Sequence, residues 1–224
     1  MNFRYPIFLD LTGKKCVVTG EGYEVAFKVK SLVDCSAEVT YINPSAEPAI
    51  EGLAAAGLLH WEKRTFQPDD LDGCFLVISD LEDNSQVFGL AESKGILCNS
   101  VDDPEHCRFS FGSMHRQGDL TIAISTNGWA PAVAVRLKEM LLREVGPEYG
   151  ELLKMLKAVR PAITAGISDF GVRRELWYRI VDSDFLARIR TGESYAVEGE
   201  ICRLVQQTIN STSRSDISGD AAHQ

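Results

Sequence analysis

The stretch that decides the fold is residues 15–33, with the sequence KCVVTGEGYEVAFKVKSLV. Its opening residues, KCVVT, form the β-branched run that is typical of a buried strand. The turn at residues 20–22 follows, and apolar residues then recur at helical spacing over residues 24–33. A strand, a glycine-bearing turn and a helix in this order predict the start of a parallel sheet that helices cover.

The same alternation of short strands and amphipathic helices continues to about residue 113. Strands are predicted at residues 15–19, 38–42, 60–64, 74–79 and 96–100. Helices are predicted at residues 24–33, 45–56 and 85–94. We therefore expect an α/β domain with a Rossmann-like parallel sheet over residues 1–113.

The pattern changes after residue 109. Residues 109–126 carry two strand-like runs that are joined by a polar turn, which predicts an antiparallel pair. A small α+β segment is therefore expected over residues 114–146, with a helix that starts at Pro131. A helical C-terminal domain is expected over residues 147–210. Residues 211–224 are mostly small and polar and are predicted to be a disordered tail.

The composition is that of an ordinary globular protein. Of 224 residues, 45% are hydrophobic and 25% are charged, and the net charge of −9 disfavours a nucleic-acid-binding protein. No apolar run approaches the roughly 20 residues that a membrane-spanning helix needs, and the N-terminus lacks the pattern of a secretion signal. We therefore expect a cytoplasmic protein. The six cysteines form no CxxC pair and are interpreted as buried free thiols rather than metal ligands.

The turn between the first strand and helix is a candidate dinucleotide site. Backbone amides at a helix N-terminus bind a pyrophosphate where no side chain blocks the approach. Gly20, Gly22 and Val25 occupy the spaced positions of a GxGxxG motif, but only two of them are glycine, so a plain tight turn remains the alternative. Asn43 stands where a carboxylate normally holds the adenosine ribose, and NAD is favoured over NADP because no arginine is nearby. The predicted cofactor-binding residues of this region are Gly20, Glu21, Gly22, Tyr23, Glu24, Val25, Asn43 and Pro44.

Polar residues also end the fifth strand, in the sequence CNSVDDP at residues 98–104. Ligands of open α/β sheets gather at the C-terminal ends of the strands. Asp102 is therefore the candidate acid/base residue, and Asn99 is a candidate substrate contact beside it. The alternative is that Asp102 or Asp103 caps the turn before Pro104.

A second polar loop, STNGWAP at residues 125–131, lies between a strand and a helix. Its hydroxyl and amide groups suit the binding of carboxylates, and they suit a helix N-cap equally well. Positive charges cluster nearby, which fits a polyanionic ligand or a solvated helix face. His115 is interpreted as a surface histidine more readily than as a ligand, no metal site is predicted, and Trp129 is expected to pack in a core. The predicted substrate-binding residues are Asn99, Arg108, His115, Arg116, Ser125, Thr126, Asn127, Gly128 and Trp129.

Taken in order, these motifs resemble the precorrin-2 dehydrogenase family, which includes the N-terminal module of siroheme synthase. The resemblance is carried, in order, by YPIFLDLTGKKCVVTGEGYEVAFKVKSL at residues 5–32, AEVTYINP at residues 37–44, FLVIS at residues 75–79, CNSVDDPEHCRF at residues 98–109 and RQGDLTIAISTNGWAPAVAVRLKEML at residues 116–141. The glycine turn, TGEGYEVA at residues 19–26, is one residue longer than the family's usual GGGxVA. It implies an NAD-dependent oxidation of precorrin-2 to sirohydrochlorin in siroheme biosynthesis, with Asp102 as the catalytic residue and a tetrapyrrole polycarboxylate as the substrate. It also implies a homodimer, with dimerisation assigned to residues 114–146.

The resemblance further implies that Ser79 and Asp80 contact the cofactor, because they stand where the family has AAT at the end of the fourth strand. Relatives that also insert ferrous iron imply a bifunctional enzyme, a dehydrogenase and ferrochelatase, as one alternative. Glu21 and Glu24 lie where the family's glycine turn meets the pyrophosphate, and they would repel a phosphate unless they point away from it. A non-catalytic protein that binds a tetrapyrrole or a nucleotide is therefore the second alternative.

Overall fold

The computed structural model describes residues 4–220, with side chains described to residue 212. The chain divides into two compact units, the first ending at Phe111 and the second beginning at Gly112. The sequence placed this change of architecture two residues later, near residue 113. Each unit has its own hydrophobic core.

A five-stranded sheet forms the centre of the first unit, with the strand order β3-β2-β1-β4-β5 and every neighbouring pair parallel. This order confirms the predicted Rossmann-like sheet. The strands are β1 (Lys15–Gly20), β2 (Glu38–Ile42), β3 (His60–Glu62), β4 (Leu76–Asp80) and β5 (Leu97–Ser100). The helices of this unit are α1 (Tyr23–Asp34), α2 (Pro48–Ala55) and α3 (Ser85–Lys94).

Strand β1 lies in the middle of the sheet and is buried on both faces. On one face, Cys16 and Val18 pack with Val25 of α1. On the other face, Val17 packs with Val87 of α3. Strands that are covered on both faces have continuous apolar sequences, which explains why KCVVT shows no polar alternation. The double layer of packing holds the C-terminal end of β1 in a fixed place.

The second unit begins with an antiparallel hairpin and continues as helices. Strands β6 (Ser113–Gln117) and β7 (Leu120–Ile124) pair around the predicted turn. The hairpin is followed by five helices: α4 (Pro131–Glu144), α5 (Pro147–Gly166), α6 (Phe170–Val181), α7 (Phe185–Arg190) and α8 (Ser194–Asp220). Apolar side chains from α5 to α8 form the core of this unit, among them Ile163, Leu176, Ile180, Phe185 and Ile201.

The structure corrects the prediction of a disordered tail from residue 211. Helix α8 continues through these residues to Asp220, and only residues 221–224 of that prediction lie outside the described residues. The physical reason is that extending an existing helix requires no new nucleation, and Val197, Ile201 and Val205 anchor α8 in the core. The local polar sequence therefore gave no indication of this continuation.

The cysteine prediction is confirmed in part. All six cysteines are free, and Cys16, Cys74 and Cys98 are buried. Cys202 is exposed on α8, which contradicts the prediction for that residue. Among residues 4–220, no group of histidine, cysteine, aspartate and glutamate side chains is arranged to hold a metal ion. The same residues contain no helix with the length and apolarity required to cross a membrane.

Candidate active site

The C-terminal ends of β1, β4 and β5 meet at one edge of the sheet. In the strand register, Gly20 lies beside Asp80 and Ser79 lies beside Ser100. The hydroxyl oxygens of Ser79 and Ser100 are 3.2 Å apart and buried. Val101 donates a backbone hydrogen bond to the carbonyl of Ser79 at 2.8 Å, which holds the segment after β5 against β4. This edge is where open parallel sheets bind their ligands.

Gly20 is required at the end of β1 for steric reasons. Its φ is +110°, and a Cβ atom there would lie 2.4 Å from the carbonyl oxygen of Asp80 and 2.6 Å from the Asp80 Cβ. Gly22 has a φ of +95°, but a Cβ atom there would meet none of the described residues within 4 Å. Gly20 therefore lets β1 and β4 approach each other, whereas Gly22 leaves the space in front of α1 open.

The N-terminus of α1 faces this open space. Gly22 is the N-cap residue of α1, and no side chain among the described residues accepts a hydrogen bond from the first amides of the helix. Amides of this kind, together with the positive end of the helix dipole, form an anion-binding site. The turn therefore has the free amides and the side-chain-free approach that a pyrophosphate requires.

The structure separates the predicted cofactor residues by environment. Tyr23 and Glu24, in the first turn of α1, are exposed, and so are Glu21 and Pro44. Val25 is fully buried in the core and holds α1 on the sheet, so its side chain is not available to a ligand. Ser79 is also fully buried, and its hydroxyl group faces Ser100.

A hydrogen-bonded network joins the glycine turn to the end of β2. Tyr41 is buried, and its hydroxyl donates to the carbonyl of Gly20 at 2.6 Å. Ser45 donates from Oγ to Oε2 of Glu21 at 3.1 Å. Asn43 donates from Nδ2 to the carbonyl of Ser45 at 2.9 Å. The Glu21 carboxylate is therefore held beside the end of β2, although it belongs to the β1 turn. Sequence reasoning missed Tyr41 and Ser45, because their partners lie on another segment of the chain.

Carboxylates surround the end of β4. Burial raises the pKa of Asp80 above its usual range, and the charges of Asp102, Glu21 and Glu24 raise it further, while Lys28 opposes them. The buried Lys28 donates to Oε2 of Glu24 at 3.2 Å, and its ammonium group lies 5.2 Å from the centre of the Phe111 ring. Lys28 therefore offsets part of the negative charge that the sequence placed next to the pyrophosphate position. The helical pattern of α1 gave no sign of this role.

We expect Asp80→Asn to raise the free energy of unfolding at neutral pH. Because the folded state raises the pKa of Asp80, ionisation of this group destabilises the fold as the pH rises through the folded pKa. The gain should be less than about 1 kcal/mol, because the side chain is only half-buried and solvent screens its neighbours. Urea unfolding at several pH values measures it, and the gain should disappear as the pH falls below the ordinary pKa of aspartate.

Asp83→Asn is the matched control for this prediction. A hydrogen bond from Ser85 lowers the pKa of Asp83, so its contribution to stability has the opposite pH dependence. It is present above the ordinary pKa of aspartate and is lost as the pH falls. An Asp80→Asn protein that is less stable than the wild type at pH 7 would contradict the charge arrangement described above.

Two neighbouring aspartates after β5 have different environments. Asp103 accepts from His106 Nδ1 at 2.7 Å and from Asn84 Nδ2 at 3.4 Å. The hydrogen bond from His106 lowers the pKa of Asp103. Asp102 is exposed, has a φ of +54°, and its side chain makes no hydrogen bond within residues 4–220. Asp103 therefore makes the contacts that hold the local structure, whereas the Asp102 carboxylate is accessible to solvent.

Two of the predicted substrate contacts are engaged within the first unit. Asn99 is buried and donates from Nδ2 to the carbonyl of Phe109 at 2.9 Å. Arg108 pairs with Glu92 and lies 4.9 Å from the centre of the Phe88 ring. Asn99 therefore holds the segment that follows β5, and Arg108 packs on the α3 side of the unit.

The other predicted substrate contacts lie in the second unit, where the structure corrects two expectations. His115 is buried rather than exposed, and its Nε2 donates to the carbonyl of Val145 at 2.7 Å. Trp129 is 90% exposed rather than packed in a core. Arg116 is exposed on β6.

Two hydrogen bonds shape the loop at residues 125–131. The backbone amide of Asn127 donates to Ser125 Oγ at 3.2 Å, and the backbone amide of Trp129 donates to the carbonyl of Thr126 at 3.0 Å.

The loop before α4 is a turn rather than a helix cap. Asn127 and Gly128 both have positive φ angles, of +53° and +81°. The N-cap residue of α4 is Ala130, and within the part of the chain that the structure describes no side chain caps the helix. The hydroxyl groups of Ser125 and Thr126 are therefore not used as caps, and Trp129 projects from the tip of the loop into solvent.

Together, the parallel sheet, the glycine turn and the open N-terminus of α1 define a dinucleotide-binding α/β protein. Residues 7–113 match the family model described as "Putative NAD(P)-binding". Residues 117–144 match "Sirohaem biosynthesis protein central", and residues 148–205 match "Sirohaem synthase dimerisation region". The chain belongs to the siroheme synthase family.

Individual relatives agree with this assignment. The chain is 30% identical over 205 residues to siroheme synthase 1 of Serratia proteamaculans, and the alignment covers 90% of this chain and 43% of the relative. It is also 30% identical over 220 residues to the siroheme synthase of Photorhabdus laumondii, and this alignment covers 97% of this chain and 45% of the relative. The chain thus spans less than half the length of these curated relatives.

A solved structure has the same fold. "SirC, precorrin-2 dehydrogenase" superposes with a TM-score of 0.71 at 22% identity, which covers 89% of this chain and 100% of that one. The match named for dimerisation falls on residues 148–205, whereas the sequence analysis assigned dimerisation to residues 114–146.

Proposed function

We propose that this chain catalyses the NAD-dependent oxidation of precorrin-2 to sirohydrochlorin. The observation that carries the proposal is the accessible Asp102 carboxylate, which lies at the same sheet edge as the glycine turn and the open N-terminus of α1. The names of the relatives, siroheme synthase and precorrin-2 dehydrogenase, support the choice of substrate. Formation of NADH on mixing the protein with NAD and precorrin-2 tests it.

The residues divide the chemistry between binding and proton transfer. Gly20 and Gly22 leave room for a pyrophosphate, and the first amides of α1 would hold it through hydrogen bonds. NAD, when bound, supplies the acceptor for a hydride from a reduced carbon of the macrocycle. Asp102 accepts the proton that leaves the substrate, so that the loss of a hydride and a proton accounts for the new double bond. Tyr41 holds the glycine turn in the shape that this arrangement requires.

The position of Glu21 supports NAD rather than NADP as the cofactor. The carboxylate is hydrogen-bonded to Ser45 just beyond β2, where the adenosine ribose lies in dinucleotide-binding folds. It can accept a hydrogen bond from a ribose hydroxyl and would repel a 2′-phosphate. Glu21 thus takes the ribose-binding role that was predicted for Asn43, because the side-chain amide of Asn43 donates to the carbonyl of Ser45 instead.

We expect Glu21→Gln to weaken the preference for NAD over NADP by about tenfold, because the change removes a repulsion of about 1.4 kcal/mol. Titrations of the two nucleotides measure the ratio of their dissociation constants. Glu24→Gln is the control, because Glu24 pairs with Lys28 on the same helix and should affect both nucleotides alike. An unchanged ratio in Glu21→Gln would exclude Glu21 as the residue that selects the cofactor.

A homodimer is part of the proposed function. The match of residues 148–205 to a dimerisation region supports it. Helix α4 also exposes the apolar side chains of Val133, Leu137 and Met140 along one face, which suits contact with a second copy. Both segments are therefore proposed to contribute, including the 114–146 segment that was predicted from the sequence. Cytoplasmic localisation remains a prediction.

The alternatives give different products. A bifunctional enzyme would form sirohydrochlorin and then insert ferrous iron into it faster than the reaction proceeds without protein. A non-catalytic binder would retain the tetrapyrrole or the nucleotide and form no NADH. Following NADH, sirohydrochlorin and its iron complex in the same sample separates the three.

A further inference from the structure

Asn84 is a buried polar residue to which the proposed reaction assigns no role. It is only 5% exposed and is the N-cap residue of α3. Instead of accepting a hydrogen bond from an amide of that helix, its side chain is hydrogen-bonded to two segments outside α3. Burying an amide group is costly unless its donor and its acceptor are both used. The two partners of this side chain therefore indicate what it does.

The side chain of Asn84 joins the segments that follow β4 and β5. Its Oδ1 accepts from the backbone amide of Leu81 at 3.1 Å, and Leu81 comes directly after Asp80 at the end of β4. Its Nδ2 donates to Oδ2 of Asp103 at 3.4 Å, and Asp103 comes directly after Asp102. One buried side chain thus connects the strand beside the glycine turn with the turn that carries the candidate proton acceptor.

The two contacts explain why position 84 is an asparagine. A backbone amide can only donate a hydrogen bond, and an ionised carboxylate can only accept one. The hydrogen bonds from His106 and from Asn84 both lower the pKa of Asp103, so this carboxylate is ionised at neutral pH. An aspartate at position 84 would keep the acceptor for Leu81 but would place a second negative charge opposite Asp103. Asparagine supplies one acceptor and one donor on the same short side chain.

The backbone of Asp102 needs an anchor of this kind. Its φ of +54° lies in the left-handed region, which such a residue keeps only where its surroundings hold it. On one side of Asp102, the amide of Val101 donates to the end of β4 at 2.8 Å. On the other side, the carboxylate of Asp103 is held by Asn84 and by Nδ1 of His106, which lies at 2.7 Å. The turn is therefore fixed on both sides of Asp102.

We propose that Asn84 is a positioning residue that fixes the carboxylate of Asp102 relative to the end of β4. The role of Asp102 in this inference rests on the proposed function, whereas the link between the two segments rests on the contacts of Asn84 alone. Because Asn84 is buried, it acts through Asp103 and the backbone of the turn. A displacement of about 1 Å at a reacting group can lower a rate about 100-fold. Loss of the link should therefore lower turnover and leave nucleotide affinity unchanged.

Asn84→Asp tests the proposal, because it keeps the acceptor for Leu81 and replaces the donor to Asp103 with a like charge. We expect kcat for NADH formation to fall about tenfold or more, with the dissociation constant for NAD unchanged. The double variant Asn84→Asp/Asp103→Asn exchanges the two groups and again places a donor opposite an acceptor. It should recover most of the lost turnover, because the two substitutions act on one contact.

Amide hydrogen exchange tests the link without any reaction. The amides of Val101, Asp103 and His106 are hydrogen-bonded within this segment, and they should lose protection in Asn84→Asp. The double variant should restore it. Asp83→Asn is the matched control, because Asp83 accepts from the amide of Ser85 at 2.9 Å at the start of the same helix. It should leave both kcat and the exchange of these three amides as they are in the wild type.

The outcomes separate the link from the start of the helix and from the reaction. Wild-type turnover or exchange in Asn84→Asp, or a double variant as impaired as Asn84→Asp, would overturn the proposal. An equal loss in Asp83→Asn would do the same. If Asn84→Asp does not fold, Asn84→Ser, which removes the donor without adding a charge, should show a smaller loss of the same kind. Loss and recovery of protection in a protein that never reduces NAD would support the link and refute only the proposed function.

Discussion

Gly20→Ala is expected to abolish detectable NAD binding and to destabilise the first unit. The new Cβ atom would lie 2.4 Å from the carbonyl oxygen of Asp80, and a φ of +110° is already unfavourable for alanine. Overpacking contributes about 1–3 kcal/mol, and the backbone conformation about 1–2 kcal/mol more. Because the contact is with backbone in a buried sheet, β1 must shift away from β4, which moves the amides of α1. Urea unfolding and nucleotide titration measure the two effects.

Gly22→Ala is the matched control for the steric argument. Gly22 also has a positive φ, but a Cβ atom there would enter open space. Its effect on stability should be limited to the backbone strain of about 1–2 kcal/mol. If both variants lost the same stability, the close approach of Gly20 to Asp80 would not be the reason for glycine at that position.

Asp102→Asn is expected to lower the rate of NADH formation by about 10²- to 10⁴-fold, the usual contribution of general acid–base catalysis. Asparagine tolerates positive φ better than most residues, so the backbone at +54° should be retained. The side chain is exposed and makes no hydrogen bond within the described residues, so stability should change little. Dissociation constants for NAD and the tetrapyrrole should stay close to those of the wild type, which confines the loss to the chemical step.

Asp103→Asn provides the comparison one residue away. Asp103 is paired with His106, so its replacement should loosen the segment after β5 and leave proton transfer in place. We expect a moderate loss of stability and a small loss of turnover. A large loss of turnover in Asp103→Asn, with full activity in Asp102→Asn, would mean that Asp103 rather than Asp102 accepts the proton.

Local sequence patterns were sufficient for most of the fold. Strand β2 and helix α3 have the bounds predicted for them, residues 38–42 and 85–94. Both are decided by neighbouring residues, through β-branched content in one and apolar spacing in the other. Helix α7 lies inside the region predicted to be helical, but its six residues are too few to show a period that would mark it as a separate helix. The end of α8 was missed because its continuation depends on the anchored helix before it.

The site was only partly predictable, because its essential contacts join distant segments. The glycine turn and Asp102 were found from their positions after strands, and their catalytic and cofactor roles remain predictions. Tyr41, Lys28 and the placement of Glu21 beside Ser45 depend on how β1, β2 and α1 pack together. Trp129 was expected in a core because tryptophan is a large apolar residue, but residue type alone does not decide whether a side chain in a loop is buried.

An anaerobic single-turnover experiment with NAD and precorrin-2 tests the central claim most directly. NADH and sirohydrochlorin are followed together by absorbance, with the protein in excess over the tetrapyrrole. The account predicts that both products form at the same rate, in equal amounts, and about 10²- to 10⁴-fold more slowly with Asp102→Asn. Tetrapyrrole that binds without forming NADH would contradict it.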